Sequence, residues 1–315
     1  MDGILIIDKP AGWTSHDVVA RVRRLLREKR VGHTGTLDPF ATGVLVLLIG
    51  RATRLAQFLS GAEKQYEAVV RFGYATETGD LDGDVRPETR ARAASEEFAR
   101  AWDKAKIEEA LNNLRGEIEQ VPPMYSAKKV KGRKLYELAR RGVEIERAAV
   151  KVTVHEMEAV ETDGALVRHS GRGTCDLSVR VVCSAGTYVR ALAESLGESL
   201  GVAAHLASLR RTRAGDFHIR SASTLDELEA MTTSGAGAVA ALLPMKTALS
   251  SMAAAHLSGE AARLARHGGR VRLEDSLADG ELVQMCDEAG ELIGVAAFDA
   301  GRGVLRPRVV FGPEE

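Results

Sequence analysis

The chain is poor in the features that announce the commonest catalytic chemistries. Its three cysteines, at 175, 183 and 286, form no CxxC pair and cannot all pair with one another, so a disulfide framework is excluded. Its eight histidines supply no HExxH and no Cys/His cluster at ligand spacing, so no metal is expected. A GxSxG elbow is missing, and Ser15-His16-Asp17 are sequence neighbours rather than a triad. There is no signal-peptide pattern, no apolar run long enough to span a bilayer, no internal repeat and no low-complexity tract, so the expectation is a cytoplasmic protein without membrane contact. Charge of one sign is also lacking. The formal net charge is −1, so any anion-binding face must be local.

What is present is a soluble, globular composition, 45% hydrophobic and 28% charged over 315 residues, long enough for one large domain and a smaller one. The densest stretch runs Gly32-His33-Thr34-Gly35-Thr36-Leu37-Asp38-Pro39-Phe40-Ala41-Thr42-Gly43. Its three glycines permit tight turns and close approach to a ligand. Asp38 precedes Pro39, which biases it away from the α region, so a single carboxylate stands at a stiffened bend. Two readings stay open on these residues. Asp38 is a reactive acid, or Asp-Pro writes a helix start with Asp as N-cap and Pro at the first helical position. A phosphate loop is rejected, because Leu-Asp-Pro stands where the Walker pattern needs Gly-Lys-Ser/Thr.

Periodicity outlines the rest. Strands are predicted at Gly3 to Ile7, Val44 to Ile49, Tyr66 to Phe72, Val150 to Val160, Asp176 to Cys183 and His205 to Arg213, the last partnered by Asp216 to Arg220. Helices are predicted after a Thr14 or Ser15 cap, around Ala52 to Leu59, from Lys104 to Leu114 and from Tyr188 to Leu200. The acidic segment Thr76 to Glu97 reads as a mobile surface loop, since the calcium-loop spacing fails. Between Ser126 and Arg147 lie eight Lys or Arg against three Glu, a basic, partly irregular projection that suits either a phosphate backbone or an ordinary charged surface. Arg190 sits in a predicted first helical turn, against the macrodipole. Composition shifts near Leu243-Pro244. Beyond it a helix (Ser258 to Arg266) and three short strands (Glu281 to Cys286, Glu291 to Phe298, Val304 to Val310) suggest a small β-barrel.

Taken in order, these stretches resemble the TruB family of pseudouridine synthases. Residues 32–45 with Gly50-Arg51-Ala52-Thr53-Arg54 resemble its signature, and Gly3 to Lys9-Pro10 its opening strand. Lys64-Gln65-Tyr66 is similar to its second motif, and Gly186-Thr187-Tyr188-Val189-Arg190 to its third. Pro123 to Ala127 with Gly132 to Glu137 resembles an RNA-gripping insert, and Leu209-Arg210-Arg211 a late loop element. The resemblance covers residues 3 to 220 in register; over the tail, similar to a PUA domain, it is loose.

The resemblance implies an α+β pseudouridine synthase fold, a mixed, mostly antiparallel sheet flanked by helices, with a PUA-like β-barrel behind it. The catalytic domain then spans 1–245, with the insert at about 121–147, and the RNA-binding domain 246–315. It implies an isomerase that converts uridine to pseudouridine at position 55 in the tRNA T loop, with no cofactor and no metal. The RNA is the partner, a monomer is expected, and no obligate protein partner. By the same resemblance Asp38 is the nucleophile, Arg190 its ion-pair partner, and Tyr66 the group that stacks on uracil and serves C5 deprotonation. Tyr188 and Leu209 wall the base pocket and His33 meets everted nucleotides. Lys9, Lys64, Lys128, Lys129 and Lys134 hold phosphates. A non-catalytic RNA-folding protein on the same scaffold, and a synthase of ribosomal or guide-directed sites, are the alternatives.

Overall fold

In the computed structural model, which describes residues 1–92, 102–130, 132–139, 141–171, 173–233, 238–273 and 277–312, strand β1 (Gly3–Lys9) leads into helix α1 (Ser15–Leu26). The helix begins where the sequence expected. The Thr14 hydroxyl accepts from the Asp17 backbone N–H, and the Asp17 carboxylate accepts in return from the Thr14 N–H, a capping box, a device worth about 1 kcal/mol. Val18, Val19, Val22 and Leu26 turn inward. Strands β2 (Val31–His33) and β3 (Thr42–Ile49) flank the glycine-rich loop. The helix expected at Ala52 to Leu59 is a 3₁₀ turn over Gly50–Leu55 followed by one α turn, α2 (Ala56–Leu59).

Beyond β4 (Lys64–Phe72) come α3 (Lys104–Asn112) and β5 (Gly116–Gln120). The basic insert then forms a hairpin, β6 (Lys129–Val130) with β7 (Arg133–Lys134), and helix α4 (Leu135–Ala139). Strands β8 (Val150–Val160), β9 (Val167–Gly171) and β10 (Thr174–Cys183) precede α5 (Val189–Leu200), β11 (Ala204–Ala214), β12 (Phe217–His218) and α6 (Leu225–Thr233). The large sheet runs β1-β3-β11-β4-β10-β8-β5, with β2, β9 and β12 added at β3, β10 and β11. All its pairs are antiparallel except β3 with β11, joined in parallel through Arg210–Thr42 and Arg211–Gly43. That crossing explains Gly43. Its φ is +101°, and a Cβ there would lie 2.2 Å from the Arg211 carbonyl oxygen, a distance only glycine avoids.

The second sheet is five-stranded, built from β13 (Ala253–His256), β14 (Val271–Arg272), β15 (Leu282–Cys286), β16 (Leu292–Asp299) and β17 (Val304–Val310), with α7 (Gly259–Arg266) against it. It is not isolated. Val295, Val309 and Phe311 share one buried cluster with Ile4, Val46 and Leu48 of the large sheet, and Arg51 and Arg54 donate to the Gly312 and Val310 carbonyls. No helix among the described residues is long and apolar enough to cross a membrane.

The acidic segment departs from expectation. It is folded back, with Leu206 N–H donating to the Gly79 carbonyl and Thr76 Oγ1 to the Asp80 carbonyl, and Asp80 is buried. Its end, residues 93–97, lies outside the described residues, as do 235–237 of the Gly/Ala-rich stretch.

Candidate active site

The loop between β2 and β3 carries Asp38, and no helix follows Pro39, so the N-cap reading fails. The loop is held from beneath by buried cations. Lys9, fully buried, donates through Nζ to the carbonyls of Pro10 (2.9 Å), Trp13 (2.6 Å) and Pro39 (3.1 Å). Arg211 donates to the carbonyls of Val44 (2.7 Å) and Gly35 (3.0 Å). Ser15 Oγ bridges the Leu37 N–H and carbonyl. Satisfied in this way, an irregular loop can lie against the core without orphaned backbone groups.

Across from it, the first turn of α5 presents Arg190, 4% exposed. Its Nε lies 3.0 Å from Asp38 Oδ2 and its Nη1 3.5 Å from Asp80 Oδ2. The same guanidinium donates to the Thr78 carbonyl at 2.6 Å and the Tyr125 carbonyl at 2.7 Å. One side chain therefore joins the glycine-rich loop, the acidic segment and the insert. The planar fork of arginine suits such multiple engagement, and a lysine could not reproduce it.

Asp38, Tyr66, Arg190, Tyr188, Leu209 and Lys64 face one cavity of about 270 Å³. Burial pushes the Asp38 carboxyl above its ordinary range. The Arg190 guanidinium opposes this, Asp80 adds to it, and Lys9 opposes it more weakly. The ion pair expected from the sequence is thus present, yet the net direction is upward rather than down. A third of the Asp38 side chain stays open to the cavity, so the carboxylate remains accessible. Burial also raises the Tyr66 phenol, with Arg211 opposing, which keeps it protonated at neutral pH. Tyr188 is raised for the same reason.

The structure gives Lys9 and Lys64 main-chain partners and sets His33 outside the cavity. Lys9 is a buried brace whose Nζ is taken up by three carbonyls, and desolvation lowers its pKa to about 8. Lys64 donates to the carbonyls of Ser60 and Ala62 and is likewise lowered to about 8 by burial, so it closes a turn at the cavity edge. His33 does not line the cavity. It packs edge-on against His16, ring centroids 5.8 Å apart, and desolvation lowers its pKa to about 4. In the insert Lys128 is half-buried, while Lys129 and Lys134 pair through their backbones at the β6–β7 rung. Sequence reasoning missed the parts of Asp80 and Arg211. Asp80 sits among alternating acids with nothing local to single it out, and Arg211 differs from Arg210 only in which face of β11 it takes.

Family comparisons cover nearly the whole chain. Residues 23–189 match the TruB family pseudouridylate synthase N-terminal domain, 190–250 a tRNA pseudouridylate synthase B C-terminal domain, and 253–311 the C-terminal domain of pseudouridine synthase II TruB. The chain belongs to the TruB family. It is 43% identical to tRNA pseudouridine synthase B of Geobacillus thermodenitrificans, covering 99% of this chain and 100% of that one. With the Bacillus subtilis protein of the same name it shares 38% identity over 98% and 97%. Among solved structures, one chain of a Cbf5-Nop10-Gar1 complex superposes with TM-score 0.72 at 27% identity, covering 99% of this TruB-family chain and 85% of that one. The pseudouridine synthase fold expected from the motifs is thereby established, with a curled five-stranded sheet consistent with a PUA-like unit.

Proposed function

We propose that this chain isomerises uridine to pseudouridine at position 55, in the T loop of tRNA, with Asp38 as nucleophile. The isomerisation in tRNA rests on family membership; the position and the residue roles are our reading. In the reaction the N1–C1′ bond breaks, the uracil turns, and a C5–C1′ bond forms. C5 gives up its proton and N1 gains one. One ionised carboxylate and a proton acceptor for C5 suffice.

The observation that carries the assignment is the Asp38–Arg190 contact at 3.0 Å, in a cavity that Leu209 and Tyr66 also line. Arg190 stabilises the carboxylate against desolvation, and Asp80 with the Thr78 and Tyr125 carbonyls fixes the guanidinium. Tyr66 stacks on the base and, with its phenol protonated, passes the C5 proton through its oxygen or a water held there. Tyr188 walls the opposite side. A T-loop uridine is tucked inside folded RNA and must be turned out to reach Asp38. The insert and its basic run, Lys128, Lys129 and Lys134 included, meet the phosphates. The catalytic unit spans 1–245 and the RNA-binding unit 246–315, and the protein acts as a cytoplasmic monomer without an obligate protein partner.

The test is to incubate unmodified tRNA with wild type and with Asp38→Asn and to map pseudouridine by nucleotide. Modification at position 55 with wild type and none with the variant is the expected result. A different site would overturn the substrate assignment, and an active variant the role of Asp38.

A further inference from the structure

A concavity larger than the one that holds Asp38 opens elsewhere on the molecule. It is a trough of about 980 Å³ beside the β1–α1 loop, lined by Trp13, by Arg21, Arg24 and Arg210, and by the carboxylates of Asp8, Asp17 and Asp226. Of the large apolar side chains left exposed among the described residues, Trp13 alone is aromatic, at 37% exposure. Its ring makes no aromatic or cation contact with another described residue. Its backbone, in contrast, is fixed. The Trp13 carbonyl accepts from Lys9 Nζ at 2.6 Å, that same Nζ reaches the Pro39 carbonyl, and Gly12 N–H donates to the Pro39 carbonyl at 2.9 Å. An exposed indole is therefore carried on a backbone tied to Pro39, the residue that follows Asp38. Arg24 is exposed, with no carboxylate in ion-pair range among the described residues, whereas Arg21 is tied to Glu229 and Arg210 to Asp8.

We infer that Trp13 is a stacking platform for an unpaired nucleotide flanking the target uridine, with Arg24 meeting the adjoining phosphate. This inference rests on the tRNA-modifying reading above and deepens it by naming a contact outside the catalytic cavity. The chemistry fits: an aromatic face with a neighbouring free cation binds any base by its π surface and its phosphate by charge. When a uridine leaves a folded loop its neighbour loses a stacking partner, and an indole on the loop braced to Pro39 replaces it. The rigidity matters, since the platform spends no loop-ordering entropy when RNA arrives.

The chain has two tryptophans, and Trp102 is buried against Phe72, so fluorescence separates the platform from the core. In the Asp38→Asn background, which leaves the RNA unconverted, adding a T-stem-loop RNA is expected to quench tryptophan emission. Adding Trp13→Ala should abolish the quench and weaken binding by about 10-fold, within the range of base–aromatic stacking. Trp13→Phe should restore most of the affinity, and Arg24→Gln should weaken binding and lower its salt slope. Unchanged affinity in the Trp13→Ala protein, or a quench that survives it, overturns the platform. Circular dichroism checks folding, and Trp13→Phe with lost affinity despite a native spectrum also counts against stacking. Wild-type turnover on tRNA, measured alongside, tests the underlying reading separately, because it can stand while the platform fails.

Discussion

Asp38 has a neighbourhood in which opposing effects leave a definite sign. Burial and Asp80 raise its carboxyl pKa, while Arg190 and Lys9 pull it down without prevailing. With the ionised form as the proposed nucleophile, turnover is expected to fall on acidification through an apparent pKa above that of a free aspartate, read from kcat against pH. Asp38→Asn should lose at least ~10³-fold in turnover while still binding RNA. Tyr66→Phe should also lose turnover with binding intact, and unchanged turnover would remove its proton-transfer role. His33 yields a stability prediction. Its pKa is near 4 in the fold against 6.5 ordinarily, so the unfolded chain binds the extra proton between these values. The contribution is fully present above pH 6.5 and is lost as pH falls toward 4, by up to about 1.4 kcal/mol per pH unit. Urea titrations across that window should show the loss, and His33→Gln should flatten it. At this scale the sequence made Asp38, Tyr66 and Arg190 legible, because each stands in a short motif. For Lys9 and Lys64 it showed only half of the environment, because a lysine's charge is visible in the sequence while the carbonyls that take it up are not.

Elements decide which of these side chains can meet. Strands β3 and β11 cross in parallel at Gly43, and Arg211 from that crossing reaches back to hold the loop that carries Asp38. Gly43→Ala forces a Cβ against backbone at a positive φ, so it is expected to cost about 2–4 kcal/mol, measured by chemical denaturation, with turnover falling in parallel. Lys9→Met should lower turnover, since the Asp38 loop loses its brace, but leave the salt slope of RNA binding as in wild type. A reduced slope would restore Lys9 to the phosphate contacts. Apolar alternation made the long strands readable. It gave no sign of three-residue β2 or two-residue β14, which are defined by the neighbours they pair with rather than by their own pattern. The acidic segment was misread for a related reason. Its order comes from Arg190 and Leu206, far away in sequence.

The whole molecule is less divided than its composition suggests. Strands beyond Leu243-Pro244 belong to the second sheet, yet Phe311, Val309 and Val295 complete a cluster begun by Ile4 and Val46. Phe311, also covered by Arg54, is 4% exposed, and Phe311→Ala is expected to cost about 3–5 kcal/mol. Heating should give one coincident transition by near- and far-UV circular dichroism, and two separated transitions would mean that the shared cluster does not couple the units. Charge likewise has to be judged over the whole surface. With a net charge of −1, RNA binding depends on where the cations lie, and affinity should fall steeply and linearly in a log–log plot against salt.

Arg190 and Lys9 are seated largely by main-chain oxygens: those of Thr78 and Tyr125 for one, and of Pro10, Trp13 and Pro39 for the other. Every amino acid at those positions supplies the same oxygen. The side chains at 78 and 125 can therefore be exchanged without disturbing the frame of the site. Segment length has no such freedom, because deleting one residue from any of these loops withdraws an acceptor that no substitution can replace.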